Sequence, residues 1–219
     1  MIQELINRTN TDEFYQNCDL KLESYNYRTS ENTLEMIFSI NQISYDEFVE
    51  YHEWKITCLK TQQFDGFTFD ILLPYVKMEI LDNHPLLLKY HESELECEIK
   101  GKPKNVNEFI GEISNALESL TGNWITVNHY FWNSVEQFEK HSHRIISIPK
   151  SLKDSLNSIC EKQGLSFKVN REIKDDDKGY SDKPNAKVLI FGNKDVSPND
   201  FNLFQPYIIA EEFIGERIK

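Results

Sequence analysis

The sequence predicts an α+β fold: a mostly antiparallel sheet with two main packing helices, at about 105–120 and 150–163. Three observations predict it. Apolar and polar residues alternate over much of the first hundred residues, the period of strands with one buried face. Two later stretches switch to helical spacing. Strands and helices also fail to alternate one for one, as a doubly wound parallel sheet would require.

Residues 1–17 are mixed and leave room for a short opening helix. From Asp19 the period is two: Leu20 and Leu22, then Leu34, Met36, Phe38 and Ile40, with the polar YNYRTSENT between them as the turn of a hairpin. In EYHEWKITCLK, His52, Trp54, Ile56 and Cys58 share one face. FDGF makes a turn, and Phe67, Phe69, Ile71 and Leu73 line a further strand that ends at Pro74. Leu95, Cys97 and Ile99 alternate with Glu94, Glu96 and Glu98 until Gly101 and Pro103.

The clearest helix follows. Val106, Phe109, Ile110, Ile113, Leu117 and Leu120 recur at helical spacing, and Gly122 stops them. WITVNHYFW reads as extended or mixed. RIISI is a strand, a helix starting at Pro149 or Ser151 carries Leu152, Leu156, Ile159 and Cys160 to Gly164, and LSFKV is a strand again. REIKDDDKGYSDKPN is the most polar stretch and reads as a mobile loop. KVLIF and YIIAEEFIGE supply two final strands, the second with some helical character. The length fits a single domain over 1–219, with room for two sub-domains and a soft boundary near 133–143.

Charge narrows the function classes. The chain has 24 basic and 36 acidic residues, a net of −12. Nucleic-acid binders gain affinity when Lys and Arg replace the counterions of the phosphate backbone, so no nucleic acid is expected as a partner. The same field attracts a basic protein partner. The start, MIQELINRTNTDEF, has neither the basic nor the apolar region of a signal peptide. No apolar run approaches the roughly 18 residues that span a bilayer. Cys18, Cys58, Cys97 and Cys160 are far apart and form no C-x-x-C, which suits small buried hydrophobes in a reducing compartment. The expected location is cytoplasmic.

Chemistry-bearing residues are few. In DNHPLLLKY (82–90), Asp82 and His84 suit an acid–base pair, with the carboxylate orienting the imidazole of a small hydrolase. No nucleophile elbow accompanies them. The competing reading is a proline-bounded turn whose leucines plug the core and whose histidine holds the backbone. His141-x-His143 places two rings on one strand face, a weak metal pattern without H-E-x-x-H or a cysteine pair. Asp175, Asp176 and Asp177 lack the alternate spacing of a calcium loop. Neither phosphate-binding glycine motif is present, so no cofactor is expected. Trp132, Tyr180 and the run Asp175, Asp176, Asp177 are the candidate binding residues. Tryptophan is enriched at interface hot spots but is also a common core filler, and burial is the favoured reading; Trp132, after HYF and before Asn-Ser, is the one of the three tryptophans best placed for exposure.

NHPLLLKY (83–90), the strand ending at Gly101, the helix before GNW (122–124), IPKSLKDSLNSICEKQG and the terminal YIIAEEFIGERI occur in this order. Together, over roughly residues 50–219, they resemble a group of uncharacterised small acidic bacterial proteins. Leu88 departs from that pattern, where an aromatic is more typical. The resemblance implies no catalytic residue. By analogy with immunity and accessory proteins of bacterial conflict systems, it implies an acidic protein that masks a basic partner.

Overall fold

The computed structural model describes residues 2–43, 48–67, 72–74, 77–132, 134–179, 184–192 and 205–219. Among them the strands are β1 (Cys18–Arg28), β2 (Thr33–Ile43), β3 (Phe48–Leu59), β4 (Gln63–Asp65), β5 (Leu72–Pro74), β6 (Met78–Leu81), β7 (Glu94–Lys100), β8 (His143–Pro149), β9 (Ser166–Ile173), β10 (Lys187–Phe191), β11 (Tyr207–Ala210) and β12 (Glu212–Arg217). The helices are α1 (Ile2–Thr9), α2 (Asp12–Asn17), α3 (Leu88–His91), α4 (Val106–Thr121), α5 (Val127–Tyr130), α6 (Ser134–Lys140) and α7 (Lys153–Lys162). The fold is α+β, and every described strand pair is antiparallel.

The chain forms two compact units, Met1–Asn83 with Asn185–Lys219, and His84–Pro184. The first holds a five-stranded sheet, β12-β3-β2-β1-β5, and a four-stranded sheet, β4-β11-β10-β6. Alternation builds the larger sheet. Leu22 lies opposite Phe38, and Phe38 opposite Trp54, so one buried face runs across three strands. Fully burying each such side chain contributes about 1.5–3 kcal/mol. His52 sits in the same row of β3 and is buried, and Arg217 of β12 donates to its Nδ1. KVLIF shows no alternation because Val188, Leu189, Ile190 and Phe191 are all buried, so β10 is covered on both faces. Phe191 stacks on Phe38 with centroids 5.3 Å apart, which joins the two sheets in one core. Helix α1 docks on β12 at Gly215, where a Cβ would lie 2.6 Å from the Ile2 Cα.

The second unit holds the sheet β8-β7-β9. Phe109, Ile113 and Leu117 of α4, with Leu156 and Cys160 of α7, bury its Leu95, Cys97 and Ile99. Asn105 caps α4 by accepting from the Glu108 N–H at 3.2 Å, and Gly122 ends it at φ +55°. The helix expected at 150–163 is a 3-10 turn over Lys150–Leu152 followed by α7. Both main packing helices therefore belong to one unit.

Several expectations need correction. The hairpin turn is only residues 29–32, because β1 runs on to Arg28 and carries Tyr25 and Tyr27 to Phe64, with centroids 6.1 and 5.5 Å from its ring. WITVNHYFW is not extended: it leads into α5, and α6 follows. The polar composition near 133–143 marks the solvent side of α6, whose Phe138 is buried, and this stretch lies inside the second unit. YIIAEEFIGE has no helical part; Tyr207–Ala210 and Glu212–Arg217 pair in different sheets. Of the strand read over 67–74, residues 68–71 lie outside the described ones and Leu72–Pro74 pairs with β1. No described helix is long and apolar enough to cross a membrane.

Candidate functional site

DNHPLLLKY is a structural corner. Pro85 biases His84 to extended backbone, observed at φ −154°, and Pro85–Leu87 form a 3-10 turn that runs into α3. His84 Nδ1 accepts from the Leu86 N–H at 3.3 Å, one of the donors a helix start leaves unpaired. Its ring meets Trp124 edge-on, with centroids 4.4 Å apart. Leu87 and Tyr90 are buried, while Leu86 is half-buried. Burial alone pushes the His84 pKa down to about 4, so the ring is neutral at pH 7.

Asp82 takes a different partner. It is exposed and lies 3.5 Å from Lys187 Nζ. With His84 Nδ1 given to Leu86 and Nε2 buried without a hydrogen bond, the oriented acid–base pair is not formed. The two histidines at 141 and 143 also separate. His143 Nε2 lies 2.7 Å from Glu98 Oε1 on β7, whereas His141 precedes the strand and gives its carbonyl to Arg144. Among the described residues no three or more His, Cys, Asp or Glu gather as metal ligands.

The aspartate run is tied down rather than free. Residues 172–173 complete β9, and Asp176–Lys178 form a 3-10 turn. Asp177 Oδ2 accepts from the Lys174 N–H at 3.3 Å and from Arg171 at 2.6 Å, which together hold its carboxyl below the usual range. Lys178 donates to the Lys89 carbonyl and lies 3.4 Å from Glu94. Of the stretch expected to be a mobile loop, residues 171–179 make these contacts, and 180–183 lie outside the described residues. Tyr180 lies outside the described residues.

Trp132 is the candidate that stands out, 74% exposed. It lines a cleft of about 310 Å³ with Tyr130, Phe138, Arg144, Ile145 and Ser147. The Arg144 guanidinium rides 4.9 Å from the Phe138 ring centroid and donates to the carbonyls of His141 and His143. Its Nε is buried without an acceptor among the described residues, and burial lowers its pKa. Ile145 beside it is 62% exposed.

A second feature lies in the first unit. Of the chain's charges, the unit 84–184 holds 16 acidic and 14 basic residues, leaving 20 acidic and 10 basic for the first. Ten of the twelve net negative charges thus sit in the first unit. On the outer face of its five-stranded sheet, opposite the buried rows, are Glu23, Glu35, Glu53, Glu212 and Glu216. Lys21 lies 3.3 Å from Glu23, and Lys55 and Arg28 lie 2.7 and 3.5 Å from Glu35. The buried Ser39 hydroxyl donates to Glu23 at 2.6 Å. Tyr51 donates to Glu53, and that bond, with burial behind it, raises the phenol to about 12. Glu212 and Glu216 have no cationic partner among the described residues, and the exposed Ile214 stands between them on β12.

Comparisons with family models, with curated proteins and with solved structures return no match to this chain. The reading therefore rests on geometry. Sequence reasoning named Trp132 as the tryptophan best placed for exposure while favouring its burial, and it missed Arg144 and Ile145. The signal was present in RIISI, where an apolar Ile sits at an outward position of a strand.

Proposed function

We propose that this chain is a binding protein that captures and masks a basic protein partner on its first unit, in the manner of an immunity-like or accessory protein. The observation that carries this reading is the segregation of charge, ten of twelve net negative charges in one unit, with carboxylates ranged over an open sheet face. Charges fixed on a rigid sheet steer a cationic partner into encounter, and their reach is about 8 Å at physiological ionic strength. Ile214, on the edge strand β12, supplies an exposed apolar residue at the border of that face, and contact there excludes water. A blocking protein needs surface complementarity rather than a reacting group, which fits the structural use of His84. A cytoplasmic setting belongs to the same proposal, supported by four free and buried cysteines.

The test compares two baits at low salt in lysate of the native host: the intact chain and the variant Glu53→Gln, Glu212→Gln, Glu216→Gln. The reading expects a basic protein, with the product of a neighbouring gene the first to try, that the intact chain holds and the neutralised chain holds at least roughly tenfold less well. Equal retention by both, or no basic protein on either, contradicts it.

A further inference from the structure

We propose that the free edge of β8 binds an extended peptide carrying a carboxylate among apolar side chains, and adds it to the sheet as a fourth strand. Among the described residues, the order β8-β7-β9 leaves β8 with one neighbour. Register shows which groups are spare. Gly101 N–H bonds to the Ser142 carbonyl and Lys150 N–H to the Ser93 carbonyl, so the hydrogen-bonded partners alternate from those two ends. Arg144, Ile146 and Ile148 bond to β7, and the N–H and C=O of Ile145 and Ser147 point away from it. Among the described residues, no backbone hydrogen bond outside the ladders uses them.

The other edge of this sheet is guarded. Strand β9 has a register shift opposite Glu96 and Cys97, and exposes Lys168, Arg171 and Glu172. Bulges and charges of this kind discourage strand addition. Strand β8 pairs with β7 without a shift and exposes Ile145, with Trp132 close by. The cleft is lined by β8 residues of both pleat faces, Arg144 and Ile146 from one, Ile145 and Ser147 from the other. A cleft touched by both faces of a strand lies along its edge, where an added strand would run.

Charge selects the occupant. Lys140 is paired with Glu136, and His143 with Glu98. Arg144 lines the cleft with its guanidinium over the Phe138 ring, and it has no carboxylate partner among the described residues. Each terminal nitrogen of Arg144 gives one N–H to a backbone carbonyl and keeps a second, to which an incoming carboxylate would add a charge-assisted hydrogen bond, and the aromatic wall would take apolar neighbours. A second copy of the chain fits less well. If two β8 strands paired antiparallel about Ile145, Arg144 would face Ile146 of the other copy and remain unpaired. The site is distinct from the acidic face of the first unit and does not depend on the proposal made for it.

The test is selection of a displayed library of random ten-residue peptides on the full chain, followed by affinity measurement on the synthetic winner. The expected winner has an acidic residue at one fixed position and apolar residues at alternate positions. Ile145→Pro removes an outward N–H without touching the β7 ladder and should weaken binding at least roughly tenfold. Arg144→Gln should do the same for that peptide, and less for its Asp→Asn or Glu→Gln counterpart. Ile145→Thr, which keeps the N–H, should cost less than Ile145→Pro. Should Ile145→Pro not fold, Ile145→Lys combined with Trp132→Ala replaces it. Failure to enrich any motif overturns the proposal, as does a winner indifferent to these changes. Enrichment of basic peptides indifferent to Arg144, or a concentration-dependent dimer abolished by Ile145→Lys, would overturn it too.

Discussion

At His84 the ring is neutral because burial disfavours its charge, and this has a consequence for acid stability. Between pH 6.5 and about 4 the unfolded chain takes up a proton that the folded chain refuses. The stability contributed here is therefore complete above pH 6.5 and is lost as the pH falls toward 4. Thermal melts from about pH 7 to 5 should show Tm falling. His84→Ala should flatten that fall, at a cost of about 1–2 kcal/mol near neutral pH for the lost cap. An unchanged slope in the variant would show that His84 is not the group responsible. Trp54 makes a second residue-scale case. It is fully buried, so Trp54→Ala should cost about 3–5 kcal/mol by denaturant unfolding. Its indole N–H has no acceptor among the described residues, so Trp54→Phe, which removes that orphan donor, should cost only about 1 kcal/mol. Equal losses would mean that the N–H has found a partner. Both residues were legible in the sequence, one from its proline neighbour and the other from its place in an alternating strand. The partners of Asp82 and Asp177 were not: Lys187 reaches Asp82 through tertiary placement, and Arg171 reaches Asp177 only because a short 3-10 turn after β9, too brief to show a period, folds the chain back.

Helix α4 and strands β3 and β7 were legible to within a residue or two, whereas β1 and β9 run on past their apolar alternation. Helix α4 needs only its apolar spacing, Asn105 and Gly122 to be located. Helices α5 and α6 were not legible, because four and seven residues give too few repeats of a helical period, and the aromatics of HYFW favour strands. Two glycines test the element scale in opposite directions. Gly111 lies exposed in α4, and a methyl added there would meet nothing within 4 Å, so Gly111→Ala should stabilise by about 0.5–1 kcal/mol. Gly215 leaves no such space beneath the Ile2 backbone, so Gly215→Ala should destabilise by about 1–3 kcal/mol as α1 is displaced. Chemical denaturation of the two variants checks both signs, and a stabilising Gly215→Ala would mean that α1 does not sit on β12 as described.

For the whole molecule, the hardest feature to read was the division into units. The chain leaves the first unit at Asn83 and returns at Asn185, so β10, β11 and β12 join strands more than a hundred residues earlier. No local composition announces such a return. Without it, −12 reads as an even acidic coat; with it, the second unit is almost balanced and the first carries the field. The function proposed here stands on that asymmetry. The most direct measurement is the association rate of the captured basic partner with the intact chain across a salt series, repeated with Glu53→Gln, Glu212→Gln, Glu216→Gln. The account predicts a rate that falls steeply, roughly tenfold or more, as salt rises, with a lower rate and a shallower slope in the variant. A rate indifferent to salt, or unchanged by neutralising the sheet face, would contradict it.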